Sequence, residues 1–174
     1  MTSILRALAA TAVLLWPSAL PAVAQSSYSQ SYRAPRLGTT IRGSATTVFR
    51  VTASGDVSRI SGNAIRLSNA SVQSPTITLN CGSFDSSCAY RYLRVRITPA
   101  TGTGVAKITR LRVGSLSGGQ FYGGRPSDAA ALDFYLYPLN RATASFDLGM
   151  DVSLAANAPG GNHDFGYLVT VQLQ

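Results

Sequence analysis

Glutamate is absent from the sequence, lysine occurs once, at Lys107, and histidine occurs once, at His163. Glutamate and lysine stabilise the exposed faces of helices, and helical domains use both freely. Their scarcity therefore argues against a helical fold. Threonine, serine, valine, tyrosine and glycine are plentiful instead, and this composition favours pleated strands joined by tight turns.

The sequence also lacks an apolar run of the ~20 residues that a membrane-spanning helix needs. Its longest run, residues 7–16, follows the positively charged Arg6 and precedes a polar stretch that ends in Ala22-Val23-Ala24. This order is typical of a secretory signal peptide; a retained membrane anchor is the alternative. We predict a signal peptide over residues 1–24, no membrane span after its cleavage, and export to the periplasm, the cell surface or the extracellular space.

Acidic charge is scarce as well, since seven aspartates stand against fifteen basic residues and the formal net charge is +8. A basic exported domain attracts nucleic acid, an anionic cell surface or an acidic polysaccharide. The arginines never form a run of five or more, which disfavours a nucleic-acid-binding tail. We therefore expect no nucleic-acid partner, and we consider an anionic polysaccharide a candidate partner beside the plainer interpretation of a solvated arginine-rich face.

Only two cysteines are present, Cys81 and Cys88. Export brings them into an oxidising compartment, where a disulfide is the expected state of a neighbouring pair. The intervening Gly-Ser-Phe-Asp-Ser-Ser is turn-like, so we predict a structural disulfide that closes a loop between two strands and contributes at most about 2.5 kcal/mol. A metal site needs more ligands than two cysteines at this spacing, and His163 is far away in sequence.

Catalytic groups are few. His163 lies in a glycine-rich turn beside Asp164, and the sequence has no G-x-S-x-G motif, so a serine-hydrolase triad is not indicated. Asp133, Asp147 and Asp151 are the carboxylates from which a glycosidase pair would be drawn, but all three fall on the polar side of predicted strands. We predict no catalytic, metal or cofactor site and no enzyme activity; a small secreted hydrolase that uses His163 is the alternative.

Alternation of apolar and polar residues predicts several half-buried strands. Between residues 143 and 154, all six even-numbered residues are apolar, a period that fits one face of a strand and no face of a helix. Gly149 within this run predicts a bend or bulge. The stretches 91–97, 132–137 and 167–173 alternate in the same way.

Turn signals separate these strands at intervals of about 8–12 residues, which favours an all-β sandwich or small barrel. We predict this domain over residues 44–174, with about 7–9 short strands. Residues 25–43 are rich in serine, tyrosine, arginine and proline and have no sustained period, so we predict a flexible N-terminal arm there. The glycine-rich stretch 114–128 is predicted to be a long loop, either mobile or functional.

Tyrosine and arginine share the polar side of two predicted strands. If those strands are neighbours, they form an aromatic and basic surface that is able to stack on sugar rings. Cross-strand aromatic pairing explains the same residues without a ligand. The candidate ligand platform consists of Tyr90, Tyr92, Arg94, Arg96, Tyr135 and Tyr137.

The motifs Phe146-Asp147-Leu148-Gly149, Gly166-Tyr167 and Val169-Thr170-Val171 close the sequence, with Gly161 ahead of the last two. They resemble the end of small exported bacterial domains, namely the spore coat U-like, pilin-related proteins and a neighbouring family of domains of unknown function. Chaperone–usher pilins end similarly, with a glycine before alternating apolar residues. The resemblance implies an immunoglobulin-like antiparallel β-sandwich whose edge is completed by a strand from a chaperone or a neighbouring subunit.

The resemblance thus leads to a function that composition alone does not give. We expect an exported, non-enzymatic structural or surface-assembly protein, pilin-like in fold, with a periplasmic chaperone or like subunits as partners. The alternative is a secreted ligand-binding module for polysaccharide or another cell-surface component, which uses the tyrosine and arginine faces and the 114–128 loop. The predicted partner strand consists of Tyr167, Val169, Val171 and Leu173.

Overall fold

The computed structural model describes residues 28–31, 37–67, 74–81, 91–100, 104–137, 143–163 and 165–174. These residues form twelve β-strands and no helix, and all strand pairs are antiparallel. The predicted all-β fold is therefore confirmed. The predicted signal peptide, residues 1–24, lies outside the described residues, and within them no helix is long and apolar enough to cross a bilayer.

The larger sheet is built around one long central strand. It has six strands: β1 (Tyr28–Ser31), β3 (Thr47–Val51), β4 (Val57–Ser61), β6 (Thr76–Cys81), β8 (Ala106–Ser117) and β11 (Thr143–Leu154). Strand β11 pairs with β8 along most of its length. On its other side it pairs first with β6 and then with β3, while β1 extends the sheet beyond β6 and β4 extends it beyond β3.

The second sheet has four strands in the order β12-β7-β10-β9. They are β7 (Leu93–Pro99), β9 (Phe121–Tyr122), β10 (Leu132–Leu136) and β12 (Tyr167–Leu173). A separate two-stranded ladder joins β2 (Thr40–Ile41) to β5 (Ile65–Arg66). Two-residue strands such as β2, β5 and β9 are too short to produce a visible alternation, which explains why about 7–9 strands were predicted and twelve are formed.

Six of the twelve strands correspond in their pairing to strands of an immunoglobulin-like sandwich. The series β1-β6-β11-β8 corresponds to strands A, B, E and D of that fold, and β7 with β12 corresponds to C and F in the facing sheet. From β6 onwards the chain changes between the two sheets five times, namely between β6 and β7, β7 and β8, β8 and β9, β10 and β11, and β11 and β12. The predicted antiparallel β-sandwich is confirmed as a fold class.

The core lies between the two sheets and is filled by the residues that the alternation assigned to it. All six apolar even-numbered residues of β11 are buried, and Phe146 makes an edge-to-face contact with Phe134 of the opposite sheet, with ring centroids 5.7 Å apart. Burial of these side chains supplies most of the free energy that favours folding, at roughly 25 cal/mol per Å² of apolar surface. Aliphatic residues of β6, β7, β8 and β12 complete the core: Ile77, Leu79, Val95, Ile97, Leu111, Val169 and Val171.

The predicted bend or bulge is present on both sides of Gly149, and the glycine itself has a further role in packing. The register between β11 and β8 shifts between Phe146 and Leu148 and again between Asp151 and Val152, so the irregularities lie on either side of this glycine. A Cβ at position 149 would lie 2.8 Å from Cγ of Arg112 and 2.9 Å from the backbone nitrogen of Ala53. Glycine is therefore needed because the turn after β3 lies directly on the sheet here.

The folded domain begins before residue 44. Leu37, inside the segment predicted to be a flexible arm, is buried in the core, and β1 and β2 pair with β6 and β5. The hydrogen bond from Arg66 Nε to the carbonyl of Leu37, 2.7 Å long, attaches this segment to the domain. Because its strands are only four and two residues long, the arm shows no period in the sequence, and the predicted boundary at 43/44 has to move towards the N-terminus.

Candidate functional site

The predicted tyrosine and arginine faces lie on neighbouring strands. Strands β7 and β10 are paired, with Tyr135 opposite Arg94 and Asp133 opposite Arg96. Because cross-strand partners point to the same side of a sheet, these residues share the outer face of the four-stranded sheet. We call this surface the platform. It comprises Tyr92, Arg94, Arg96, Tyr122, Asp133, Tyr135 and Tyr137; the predicted member Tyr90 lies outside the described residues.

Three tyrosines form an aromatic cluster at one end of the platform. The ring centroid of Tyr92 is 4.7 Å from that of Tyr122 and 5.4 Å from that of Tyr137. The remaining pair, Tyr122 and Tyr137, is 6.2 Å apart with ring planes inclined by 37°. Tyr122 and Tyr137 are exposed to solvent over about half of their surface, at 54% and 46%.

Tyr122 was missed by the sequence prediction. It lies in the stretch 114–128, which was predicted to be one long loop, whereas β8 continues to Ser117 and β9 forms at Phe121–Tyr122. Phe121 points to the core side and packs edge-to-face on Phe134 at 5.7 Å, which places the next residue on the outer face. The sequence offered one signal for this strand, the adjacent aromatic residues Phe121 and Tyr122, because two residues are too few to show an alternation of apolar and polar side chains.

The charged part of the platform is an arginine pair that shares one carboxylate. Arg94 donates to Asp133 through Nε at 2.9 Å and Nη2 at 2.7 Å, and Arg96 Nη2 donates to the same carboxylate at 3.0 Å. These hydrogen bonds, that from Arg94 above all, lower the pKa of Asp133 to about 2. The guanidinium of Arg94 also lies 5.9 Å from the ring centroid of Tyr135, within cation–π range. Two cations and one anion leave this area with a positive charge.

Partial desolvation also affects the aromatic end of the platform. It raises the pKa of Tyr92 above its ordinary value, and interaction with the hydroxyl groups of Tyr137 and Tyr122 raises it further. Tyr92 therefore keeps its phenolic proton at neutral pH and offers a hydroxyl donor beside the ring faces. At the same end, Arg91 Nε donates to the carbonyl of Gln174 at 3.1 Å.

A second charged cluster lies on the outer face of the six-stranded sheet. Asp151, which is 7% exposed, accepts hydrogen bonds from Arg50 and Arg112, and Arg112 donates through Nε to Asp128 at 3.0 Å. Burial alone would raise the pKa of Asp151, but the hydrogen bonds from Arg50 and Arg112 outweigh it and lower that pKa below its ordinary value. This cluster connects strands β3, β8 and β11 through its hydrogen bonds.

The candidate hydrolase residues do not converge. Asp133 lies on the four-stranded sheet, whereas Asp147 and Asp151 lie on β11 of the other sheet, and the described part of the chain contains no cluster of three metal-ligating side chains. The imidazole Nε2 of His163 is 3.0 Å from Oγ1 of Thr40, which is itself buried. A glycosidase acid requires a carboxyl group with a raised pKa, and the pKa values of Asp133 and Asp151 are lowered.

Exposed aliphatic side chains form a patch at the two-stranded ladder. Ile41 and Ile65 are cross-strand partners, 43% and 53% exposed, and Leu67, 48% exposed, follows at the same parity as Ile65. On β4, Ile60 is also 50% exposed. The register of β4 shifts here, with Ser61 opposite Val48 and Arg59 opposite Phe49, so Ile60 is the additional residue of a bulge. We call Ile41, Ile65 and Leu67 the apolar patch.

An open cavity of about 460 Å³ lies beside the apolar patch, between β4 and β5. Its wall combines the aromatic ring of Phe49 with aliphatic and cationic side chains. Strand β4 is the last strand of its sheet in the order that the described residues form, so this side of the sandwich is open to an incoming chain. The lining residues are Phe49, Val57, Arg59, Ala64, Ile65 and Arg66.

The predicted partner strand is β12. Tyr167, Val169 and Val171 are buried in the core, and Leu173 packs partly against it. Along its whole length β12 pairs with β7, from Tyr167 opposite Pro99 to Leu173 opposite Leu93. The alternating apolar residues that suggested a contact with a partner thus form the core of the domain itself. Of the predicted disulfide pair, Cys81 ends β6 and Cys88 lies outside the described residues.

Comparison of the chain with protein-family models, curated proteins and solved structures gives no match.

Proposed function

We propose that this protein is an exported, non-enzymatic structural subunit that assembles with like subunits at the cell surface. The observation that carries the proposal is the apolar patch beside the open edge of β4. Exposed aliphatic residues that cluster on one surface mark protein–protein contacts. Ile41 and Ile65 are exposed cross-strand partners in the two-stranded ladder, and exposed Leu67 follows at the same parity as Ile65.

The charges around the patch favour head-to-tail assembly. Arg42 and Arg59 are exposed beside the patch, and Arg66 is half-buried in the cavity wall next to it. If two copies met through the same patch, these cations would face one another, and close like charges oppose association. A contact between the patch and a different surface of the next copy avoids this repulsion. Such heterologous contacts do not close on themselves unless the rotation allows a ring, so they generate open polymers.

The partial correspondence to an immunoglobulin-like sandwich supports the pilin-like part of the proposal. Chaperone–pilin complexes add a strand from another chain to an exposed edge, with main-chain hydrogen bonds giving affinity and side-chain pockets giving specificity. In this chain the cavity between β4 and β5 offers such a pocket, lined by Phe49 and Val57. We assign the assembly contact to β4 and the apolar patch; β12, the last strand of the four-stranded sheet in the order that the described residues form, stays the alternative edge. The relationship to spore coat U-like and pilin-related domains is part of the same proposal.

Charge pairing of the aspartates supports the non-enzymatic part of the proposal. Asp133 and Asp151 are held ionised by arginines, and Asp147 accepts a hydrogen bond from Thr76 at 2.8 Å. These contacts stabilise strand pairs, which is the function expected of polar residues on the outside of a sandwich.

Export and the Cys81–Cys88 disulfide belong to the proposal too. N-terminal sequencing of the protein from the medium or periplasm should give Gln25 as the first residue. Mass spectrometry before and after reduction should show that the exported protein gains two hydrogens on reduction. Retention of residues 1–24 in the membrane fraction would contradict export, and free thiols in freshly exported protein would contradict the disulfide.

The assembly contact is tested by light scattering on the exported protein over a range of concentrations. The wild type should form a series of oligomers, and Ile65→Asp should reduce it to monomer because a carboxylate is costly to bury in an apolar contact. Val105→Asp is the matched control, since Val105 is also an exposed aliphatic residue. A monomeric wild type, or an Ile65→Asp protein that assembles like the Val105→Asp control, would contradict the proposal.

A further inference from the structure

The platform is formed by strands other than those of the apolar patch, and the proposed assembly gives it no role. Exposed aromatic clusters on sheet faces are uncommon, since a soluble protein usually leaves large apolar rings at least partly covered. Here half of Tyr122 and nearly half of Tyr137 are open to solvent. Cross-strand pairing explains why these rings touch one another, but it does not explain why both remain uncovered.

We propose that the platform binds an anionic polysaccharide, with Tyr122 and Tyr137 stacking on sugar rings and Arg94, Arg96 and Asp133 contacting the hydroxyl and carboxylate groups of the chain. This inference goes beyond the proposed assembly and is independent of it. It names both the site and the chemical class of its ligand.

The aromatic end suits a sugar ring because the C–H groups of a pyranose carry a small positive charge and the face of an aromatic ring is negative. The planes of Tyr122 and Tyr137 meet at 37°, with centroids 6.2 Å apart. A rigid flat ligand would contact only one of these two rings well. A polysaccharide turns from one residue to the next, so successive sugars are able to follow both planes.

The polar end continues the surface along the same two strands. Arg94 is opposite Tyr135 and Arg96 is opposite Asp133, so guanidinium and carboxylate groups lie beside the aromatic rings. On the neighbouring strand β12, Gln172 is opposite Arg94 and Thr170 is opposite Arg96, and both are exposed. Donors and acceptors therefore extend across three strands, as an extended chain of hydroxyl-bearing residues requires.

The carboxylate of Asp133 favours an acidic polysaccharide over a nucleic acid as the ligand of the platform. It sits between two arginines and accepts hydrogen bonds from both, so it remains a carboxylate at neutral pH. A sugar hydroxyl is able to donate to this carboxylate, whereas a nucleic-acid phosphate has no proton to donate and is repelled by it. The excess of arginine over aspartate on this face, and the net charge of +8, still attract a uronate polymer.

The test measures binding of the exported protein to polygalacturonate, to neutral dextran and to an oligothymidylate by isothermal titration. We expect polygalacturonate to bind more tightly than the other two. Tyr122→Ala should weaken this binding about tenfold, which corresponds to roughly 1.4 kcal/mol. Tyr122→Phe keeps the ring and should bind like the wild type. Because Tyr122 is 54% exposed and does not belong to the core, neither variant removes a core side chain.

Two further variants separate this site from other causes of binding. Arg96→Gln should weaken binding to polygalacturonate and leave binding to dextran unchanged, whereas Arg110→Gln, an exposed arginine on β8, should change neither. Ile65→Asp should bind like the wild type, so that failure of the assembly proposal and failure of this one are distinguishable. Equal losses for Arg96→Gln and Arg110→Gln, equal binding of the oligothymidylate, or no binding of polygalacturonate would overturn the inference.

Discussion

Arg50 and Asp151 stand directly opposite each other on β3 and β11, and the guanidinium donates to the carboxylate through Nε at 3.0 Å and Nη2 at 3.2 Å. The same carboxylate accepts Nη2 of Arg112 from β8, on the other side of β11, at 2.9 Å. A single buried carboxylate thus connects three strands of the larger sheet. Removing its charge would leave two guanidinium groups without their anion, which costs more than losing a neutral hydrogen bond.

Asp151→Asn should therefore lower the free energy of unfolding by about 2 kcal/mol, a value reduced from that of fully buried pairs because Arg50 is partly exposed. The matched control is Asp147→Asn on the same strand, whose carboxylate accepts a single hydrogen bond from Thr76. The control should change stability by less than about 0.5 kcal/mol. Urea unfolding followed by tyrosine fluorescence measures the free energy of unfolding of both variants. An equal decrease in the two variants would show that the carboxylate shared by three strands stabilises the protein no more than an ordinary surface carboxylate.

Substitution of alanine for Gly149 and for Gly166 should have opposite effects on the stability of the protein. At Gly149 an added methyl group would meet Arg112, Ala53 and Val51 at 2.8–3.0 Å, so Gly149→Ala should destabilise the protein by about 1–3 kcal/mol. At Gly166 the nearest atom is 3.7 Å away, so Gly166→Ala should be neutral or stabilise by up to about 1 kcal/mol. Thermal melting of the two variants tests this, and a stable Gly149→Ala protein would rule out the close contact.

Leu148 and Leu168 provide a matched pair for the core. Leu148 is 0% exposed on the central strand β11, and Leu168 is 57% exposed on β12. Leu148→Ala should lower the free energy of unfolding by about 2–5 kcal/mol because it leaves a cavity. Leu168→Ala should change it by less than about 0.5 kcal/mol. If the two variants lose similar stability in urea, the assignment of faces on one of these strands is wrong.

Acid should weaken the domain through Asp133. The pKa of Asp133 is about 2 in the folded protein and near 3.9 in an unfolded chain. The Asp133 carboxylate therefore binds a proton less readily in the folded state than in the unfolded state. The resulting stabilisation is fully present above about pH 4 and is lost as the pH falls towards 2. Asp133→Asn should flatten this part of the stability profile, measured as melting temperature against pH.

A separate experiment, in which NMR follows the titration of the Asp133 carboxyl, tests the cause of its lowered pKa. Arg94→Gln should move its titration midpoint upwards, because Arg94 donates the hydrogen bonds that lower the pKa most. Arg110→Gln, which makes no contact with Asp133, serves as the control. An unchanged midpoint in Arg94→Gln would assign the shift to another cause.

Sequence periodicity was sufficient for the long strands and insufficient for the short ones. The six even-numbered apolar residues of β11 predicted a buried face correctly because twelve residues give six observations of one period. Strands β2, β5 and β9 have two residues each, so their placement depends on tertiary contacts such as the burial of Thr40. Leu37 joined the core for the same reason, since nothing in its neighbouring residues indicates a strand.

The candidate site was predictable in part. The parity of Arg94 and Tyr135 was visible, and their strands are indeed neighbours. Tyr122 was not foreseen, because its position depends on a two-residue strand inside a glycine-rich stretch. The apolar patch was not foreseen either, because Ile41 and Ile65 lie in two-residue strands whose pairing a single strand does not reveal.

Hydrogen–deuterium exchange on β4 tests the assembly account most directly. Exchange is compared between the monomeric and assembled fractions of the same exported protein, with β7 as an internal reference because it is a central strand in both. The account predicts that amides of Val57–Ser61 become protected on assembly, while those of Leu93–Pro99 stay unchanged. Equal exchange of Val57–Ser61 in the two fractions would contradict it.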